Sequence, residues 1–234
     1  MDNNQTVVFL FAGIMAVVFI GVLIFTKIQA QKRTQALQGV AQEIGFTFKG
    51  DVWNNQPNAH QFGTPVFGRG RRRLFNNVMV GTSAGLETSL LDYSYTVGSG
   101  KSSHTYTQTV AAYSQELWLP LFELRPEGFL DRIGDAFTHK DIDFESHPNF
   151  SRRYLLLGPA EQTIRELFSP ALLTFLEALP PDEKWHIEGC VTNLIIYRCD
   201  VTVGSEEFRS FLERTSSIAK TFFSAPAGLS KPVR

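Results

Sequence analysis

Residues 6–26, TVVFLFAGIMAVVFIGVLIFT, form an unbroken apolar run, and no position from Val7 to Phe25 carries a charged, amide or imidazole side chain. A helix rising about 1.5 Å per residue crosses a hydrocarbon core of about 30 Å with a run of this length. The pattern predicts one transmembrane anchor within residues 1–26. A cleaved leader needs basic residues ahead of a shorter apolar stretch, then a small-residue cleavage site. Here MDNNQ precedes the run, and Lys27, Lys32 and Arg33 follow it. The expectation is a retained single-pass anchor. Basic residues beside a span are held on the cytoplasmic side. That predicts the N-terminus outside and the C-terminal domain in the cytoplasm.

Helical spacing continues past the span. Leu37, Val40, Ala41 and Ile44 recur at i, i+3, i+4 and i+7, an amphipathic stripe. Gly45 follows as a stop. Residues 27–45 therefore read as a helical stalk that docks its stripe on a soluble domain. Within the span, Ala12, Gly13, Ala16 and Gly21 make a loose ridge of small residues. Such ridges let two helices approach closely, although small residues are common in spans generally.

From residue 46 the pattern shifts. A short strand at 46–48 precedes a turn-rich stretch over 50–73. Strand-like runs follow at 77–82, 86–97, 104–113 and 118–124, joined by short Gly/Ser turns. Consecutive strands with such turns predict an antiparallel meander. Helical spacing then returns at 127–136, after Pro159, and again from Ser169 and Pro170, where serine caps and proline occupies the first turn. Residues 185–188 and 193–199 read as a hairpin turning near Gly189. Ser205 reads as the cap of a last helix with the stripe Phe208, Phe211, Leu212, Ile218 and Phe222. The predicted class is α+β: a transmembrane helix and stalk, a β-meander packed with helices, and a C-terminal hairpin and helix. Residues 46–223 form the cytosolic domain, and residues 224–234 a flexible tail.

Composition narrows the function. The formal net charge of the 234 residues is −1, which gives no bulk electrostatic case for nucleic acid. Twenty phenylalanines point to an aromatic core. Cys190 and Cys199 lack metal or disulfide-framework spacing and read as reduced thiols. Gly100, Lys101 and Ser102 echo a phosphate loop. The residue five before Gly100 is Tyr95 rather than glycine, so the segment reads as a hairpin turn. Asp141, Asp143 and Glu145 alternate with Ile142 and Phe144, which reads as a strand with its acids outward. The five histidines show no metal-ligand spacing, and no serine sits in a nucleophile elbow. The sequence identifies no catalytic residue, no metal ligand and no cofactor site.

One local charge cluster stands out: Arg69, Arg71, Arg72 and Arg73. Beside a membrane stalk it fits three surroundings: anionic headgroups, an acidic patch on a partner, or solvent. Because the stalk already anchors the domain, a protein partner is the expected one.

Several segments taken together resemble a group of uncharacterised bacterial single-pass membrane proteins. They are residues 41–46, AQEIGF; 91–95, LDYSY; 108–110, QTV; 124–128, LRPEG; 141–145, DIDFE; and 150–154, FSRRY. The likeness runs from residue 33 to about 220. It implies a bacterial inner-membrane protein with a cytosolic α+β domain, and it brings no activity. The expected role is a non-enzymatic, membrane-tethered accessory or scaffold subunit whose partners are other membrane protein subunits, in a respiratory or photosynthetic complex or another host. The alternative is a membrane-surface module binding anionic lipid or a small ligand, and an enzyme comes third.

Overall fold

A computed structural model describes residues 3–51, 54, 63–128 and 141–224 of the chain, with side chains from residue 11. Helix α1, Asn3–Glu43, runs unbroken from the apolar segment into the stalk. Its stretch Phe11–Glu43 contains a window of mean hydropathy 2.4 with no buried residue, long and apolar enough to cross a membrane. The stalk stripe docks as its spacing predicts: Leu37, Val40 and Ala41 are buried, and Ile44 packs against the core. Gly45, at φ +75°, ends the helix. The Phe46 N–H donates to the Ala41 carbonyl at 2.7 Å and the Gly45 N–H to the Gln42 carbonyl at 3.3 Å. This paired closure needs a left-handed residue, which glycine adopts without strain.

The chain then reverses into β1, Thr47–Gly50. Helix α2 is the single turn Pro65–Gly68. Strands β2 (Arg71–Ser83), β3 (Leu86–Val97) and β4 (His104–Pro126) follow. They form the predicted antiparallel meander in the order β1-β2-β3-β4. The turn at Gly100–Ser102 joins β3 to β4, as the spacing predicts. Next come α3 (Pro148–Arg153), β5 (Tyr154–Leu157), α4 (Glu161–Leu167) and α5 (Pro170–Ala178). Strand β6, Trp185–Arg198, and helix α6, Phe208–Phe223, complete the fold. Along one side of β4, β3 pairs with its first half and β5 with its last four residues, while β6 pairs along the other side.

One sheet face carries α1, α4, α5 and α6 over a core in which Phe122, Phe168 and Phe222 interlock at ring distances of 5.3–5.7 Å. The other face carries α2. There Val66 and Phe67 cover Phe75, Tyr93, Tyr95 and Tyr197.

Five expectations need correction. The hairpin around Gly189 is one long strand, β6. Gly189 lies opposite Phe122, whose ring fills the space a Cβ would take, so the glycine serves a close approach rather than a turn. The runs 104–113 and 118–124 are a single strand whose register shifts between Ser114, Leu119 and Phe122. Residues 141–145 form no strand. Ile142 is buried and donates to the Leu156 carbonyl at 2.9 Å, while Asp141 caps the Leu156 N–H at 2.9 Å, so the alternation survives beside β5 without a ladder. The helix after Pro159 begins at Glu161. Ser205 opens a 3-10 turn running straight into α6 and makes no cap bond to the helix. Ser169 does cap α5 as expected, accepting from the Leu172 N–H. The expected helix at 127–136 falls mostly on residues 129–140, outside the described residues. The expected tail falls on 225–234, also outside them.

Candidate functional site

The arginine run does not form one surface. Arg69 follows α2 directly, and the turn aims its side chain into the domain, where it is 7% exposed. Its Nη2 donates to both carboxylate oxygens of Glu123 at 2.6 Å, and its Nη1 lies 3.8 Å from Glu188. Arg125 approaches Glu123 at 3.6 Å. Glu188 accepts from the Val66 N–H at 2.8 Å and from the Tyr197 hydroxyl at 2.9 Å. His186 stacks on the Tyr197 ring at 5.0 Å. Two arginines thus meet two glutamates in one buried cluster. The geometry comes from β4 and β6, which turn Glu123, Arg125, His186 and Glu188 to the α2 face while Phe122, Leu124 and Ile187 face the helices.

Burial sets the protonation states. It pushes the Glu188 carboxyl up to about 7, against the pull of Arg69. It pushes His186 down to about 3, with Arg69 and Arg125 adding to the effect. For Arg69, burial opposes the charged form, but Tyr197, Glu188 and Glu123 overcome it and hold the guanidinium protonated. The cluster holds buried charge in place, with no exposed nucleophile in it. Sequence reasoning missed it, because Glu123, Arg125, His186 and Glu188 are spread over two strands with no motif spacing. Alternation on β4 was the available signal: charges at 123 and 125 fall on the same face of a strand otherwise buried.

Arg71 and Arg72 are exposed at the start of β2, while Arg73 is partly covered and donates to the Phe67 carbonyl at 2.8 Å. A register shift between Arg71 and Leu74 marks a bulge, with Arg72 at φ 51°. The arginines are thereby divided: one lies inside, one is tied to α2, and two face outward.

A second constellation joins the stalk to the sheet. Arg33 donates from Nε and Nη2 to the two oxygens of Asp92 at 2.7 and 2.6 Å, and from Nη1 to the Val203 carbonyl at 3.0 Å. Asp92 also accepts from Asn77 at 2.8 Å and Thr109 at 3.1 Å. Thr34 donates to Asn77 at 2.8 Å. Further along, Arg209 of α6 pairs with Glu43 at 2.6 Å. The charge read as a topology signal at Arg33 is thus also the clamp between helix and domain.

Ala12, Gly13, Ala16 and Gly21 all lie on the unburied part of α1, and nothing within the domain approaches the two glycines. At about 100° per residue, Ala12, Gly13 and Ala16 share one side and Gly21 falls well round from Ala16. An open groove of about 470 Å³ lies between β6 and α6, lined by Glu183, Trp185, Arg198, Glu207 and Arg214 among others. Its charges are mixed, and Arg214 pairs with Glu183 at 3.3 Å. Among the described residues no cluster of His, Cys, Asp and Glu fits a metal. Cys190 and Cys199 are free and half-buried.

No family model matches the chain, and neither does any curated protein. The fold is similar to that in the crystal structure of the mycobacterial trehalose monomycolate transport factor A, TtfA. The TM-score is 0.56 at 11% sequence identity, over 85% of this chain and 98% of that one. At that identity the likeness shows a shared fold.

Proposed function

We propose that this protein is a membrane-tethered accessory subunit without catalytic activity of its own, acting in a larger membrane assembly. The observation that carries this reading is the join between anchor and domain. One continuous helix leaves the apolar segment, and the Arg33–Asp92 clamp fixes it to the sheet without a linker. A tethered enzyme that reaches for soluble substrate gains from a flexible tether, whereas a part that must hold a fixed pose beside other membrane subunits gains from a rigid one. The charged residues best suited to chemistry are enclosed and paired with one another. TtfA is a transport factor, and the shared fold supports a transport assembly as the host over a respiratory or photosynthetic one. We place the anchor in a bacterial inner membrane with the domain on the cytoplasmic side, following the basic residues at 27, 32 and 33.

Purification of the full chain in mild detergent, with mass spectrometry of co-purifying chains, tests the reading. The expected result is a reproducible set of integral membrane partners. Replacing Gly13 and Ala16 by Leu leaves the span apolar but blocks close helix approach, and it should weaken that set. Recovery of the chain alone from cross-linked membranes overturns the accessory role.

A further inference from the structure

The clamp fixes which end of the domain faces the bilayer. Thr34 meets Asn77 near the middle of β2, and the stalk ends beside the far end of that strand, where Thr47 pairs with Val80. Helix and strand therefore run alongside each other, both leading away from the membrane. Followed back, α1 covers about 12 Å from Thr34 to Thr26. From Asn77 back to Arg71, β2 covers about 20 Å along its own axis at about 3.3 Å per residue, enough to reach that level even where the strand is inclined to the helix. The start of β2, the end of β3 and the start of β4 thus return to the level where the span ends. Arg71 pairs with Thr96 and Val97 with His104, so the Gly100–Ser102 turn is the most membrane-proximal part of the sheet.

This end is basic and exposed. It carries Lys27 and Lys32 on α1, Arg71 and Arg72 on β2, and Lys101 on the turn. Asp200, a carboxylate at this end, is engaged by His104 at 3.1 Å and the Thr107 N–H at 3.0 Å. Leu74, two positions beyond the bulge, stays 47% exposed on the side of the sheet that carries α1. An exposed leucine two and three positions from exposed arginines suits the headgroup layer, where the apolar group sinks and the cations stay at the phosphates.

We infer that the end of the sheet formed by Arg71, Arg72, Leu74 and Lys101, together with Lys27 and Lys32, seats on the headgroups of anionic lipids around the span. The domain then has two attachments to the membrane, the helix and this end. The contact goes beyond the accessory role and stands whichever subunits the protein joins.

The test uses the full chain with Cys190 and Cys199 replaced by Ser and a fluorophore on Ser102→Cys. The protein is reconstituted into vesicles of phosphatidylcholine, alone or mixed with phosphatidylglycerol, carrying a lipid with a nitroxide on its headgroup. The expected result is quenching at least about twofold stronger in the anionic vesicles, falling as salt rises. Arg71→Glu, Arg72→Glu and Lys101→Glu together should remove the difference. Quenching equal in both vesicles and unmoved by salt overturns the inference, as does no quenching in either. The lipid and salt comparisons are made on unsubstituted arginines, so an unstable triple variant leaves the test intact. No co-purifying subunit enters the readout, so this result and the accessory role fail separately.

Discussion

Arg33 and Asp92, 59 positions apart in sequence, meet through two hydrogen bonds of 2.7 and 2.6 Å that lock the stalk to the middle of β3. Asp92 is 7% exposed on its side chain, so its oxygens rely on protein donors rather than water. Arg33→Ala leaves the carboxylate with only Asn77 and Thr109 as donors. A loss of about 2 kcal/mol is expected, seen as a Tm lower by about 4–8 °C for the full chain in detergent. Arg33→Lys should recover only part of it, because an ammonium does not reproduce the forked contact. A Tm unchanged in Arg33→Ala would show that the apolar stripe alone holds the stalk.

The interior cluster predicts a pH response with two opposed parts. Glu188 is raised from its ordinary 4.5 to about 7. The folded state holds its proton more tightly, so this contribution is complete below 4.5 and lost as pH rises towards 7. His186 is lowered from 6.5 to about 3, so its contribution is complete above 6.5 and lost as pH falls towards 3. Between pH 4.5 and 6.5 the two slopes cancel. Glu188→Gln should expose the histidine alone, with Tm climbing as pH rises through that window. His186→Gln should show the reverse. Parallel Tm–pH curves for both variants and the parent would remove the cluster from the titration.

Gly189 in β6 gives a packing test. A Cβ there would run into the ring of Phe122, which is wedged between Phe168 and Phe222 and has nowhere to turn. Gly189→Ala should cost about 1–3 kcal/mol by overpacking. Gly189→Ala combined with Phe122→Leu should regain part of that in thermal denaturation. The same glycine in a hairpin turn would accept alanine only with a backbone penalty that Phe122→Leu leaves untouched.

Topology is open to a direct measurement. An alkaline phosphatase fused after Arg234 should be inactive, and a cytoplasmic reporter at the same place active, if basic residues beside a span set its orientation at Lys27, Lys32 and Arg33. The opposite pattern would put the free thiols Cys190 and Cys199 in an oxidising compartment.

The sequence disclosed those elements whose periodicity is local. The span, the stalk stripe at Leu37, Val40 and Ala41, and the meander of β2, β3 and β4 each follow from spacing within a single run. Glycine was read well at Gly45, where only the backbone matters, and misread at Gly189, where a ring from another strand decides. The run at residues 141–145 alternated like a strand because Ile142 and Phe144 bury themselves. It meets the outer edge of β5 through a single backbone bond, because the Asp141 side chain takes the Leu156 N–H that a second strand would have used. The arginine run shows the same limit. Neighbours in sequence went to three environments because a helical turn and a bulge point successive side chains in unrelated directions. Glu123 and Glu188 became a site only when β4 and β6 lay side by side.

The unbroken helix between bilayer and clamp sets the angular phase of the domain. Six residues separate Thr26 from Arg33. Each residue in a helix advances it by about 1.5 Å and turns it by about 100°. Lengthening this segment by one residue would lift the sheet very little and swing it more than a quarter turn about the span. A seven-residue insertion would restore the azimuth to within about 20° while raising the sheet by about 10 Å. Height and heading above the membrane are therefore separately readable, and whichever neighbour this domain meets must meet it at one compass bearing.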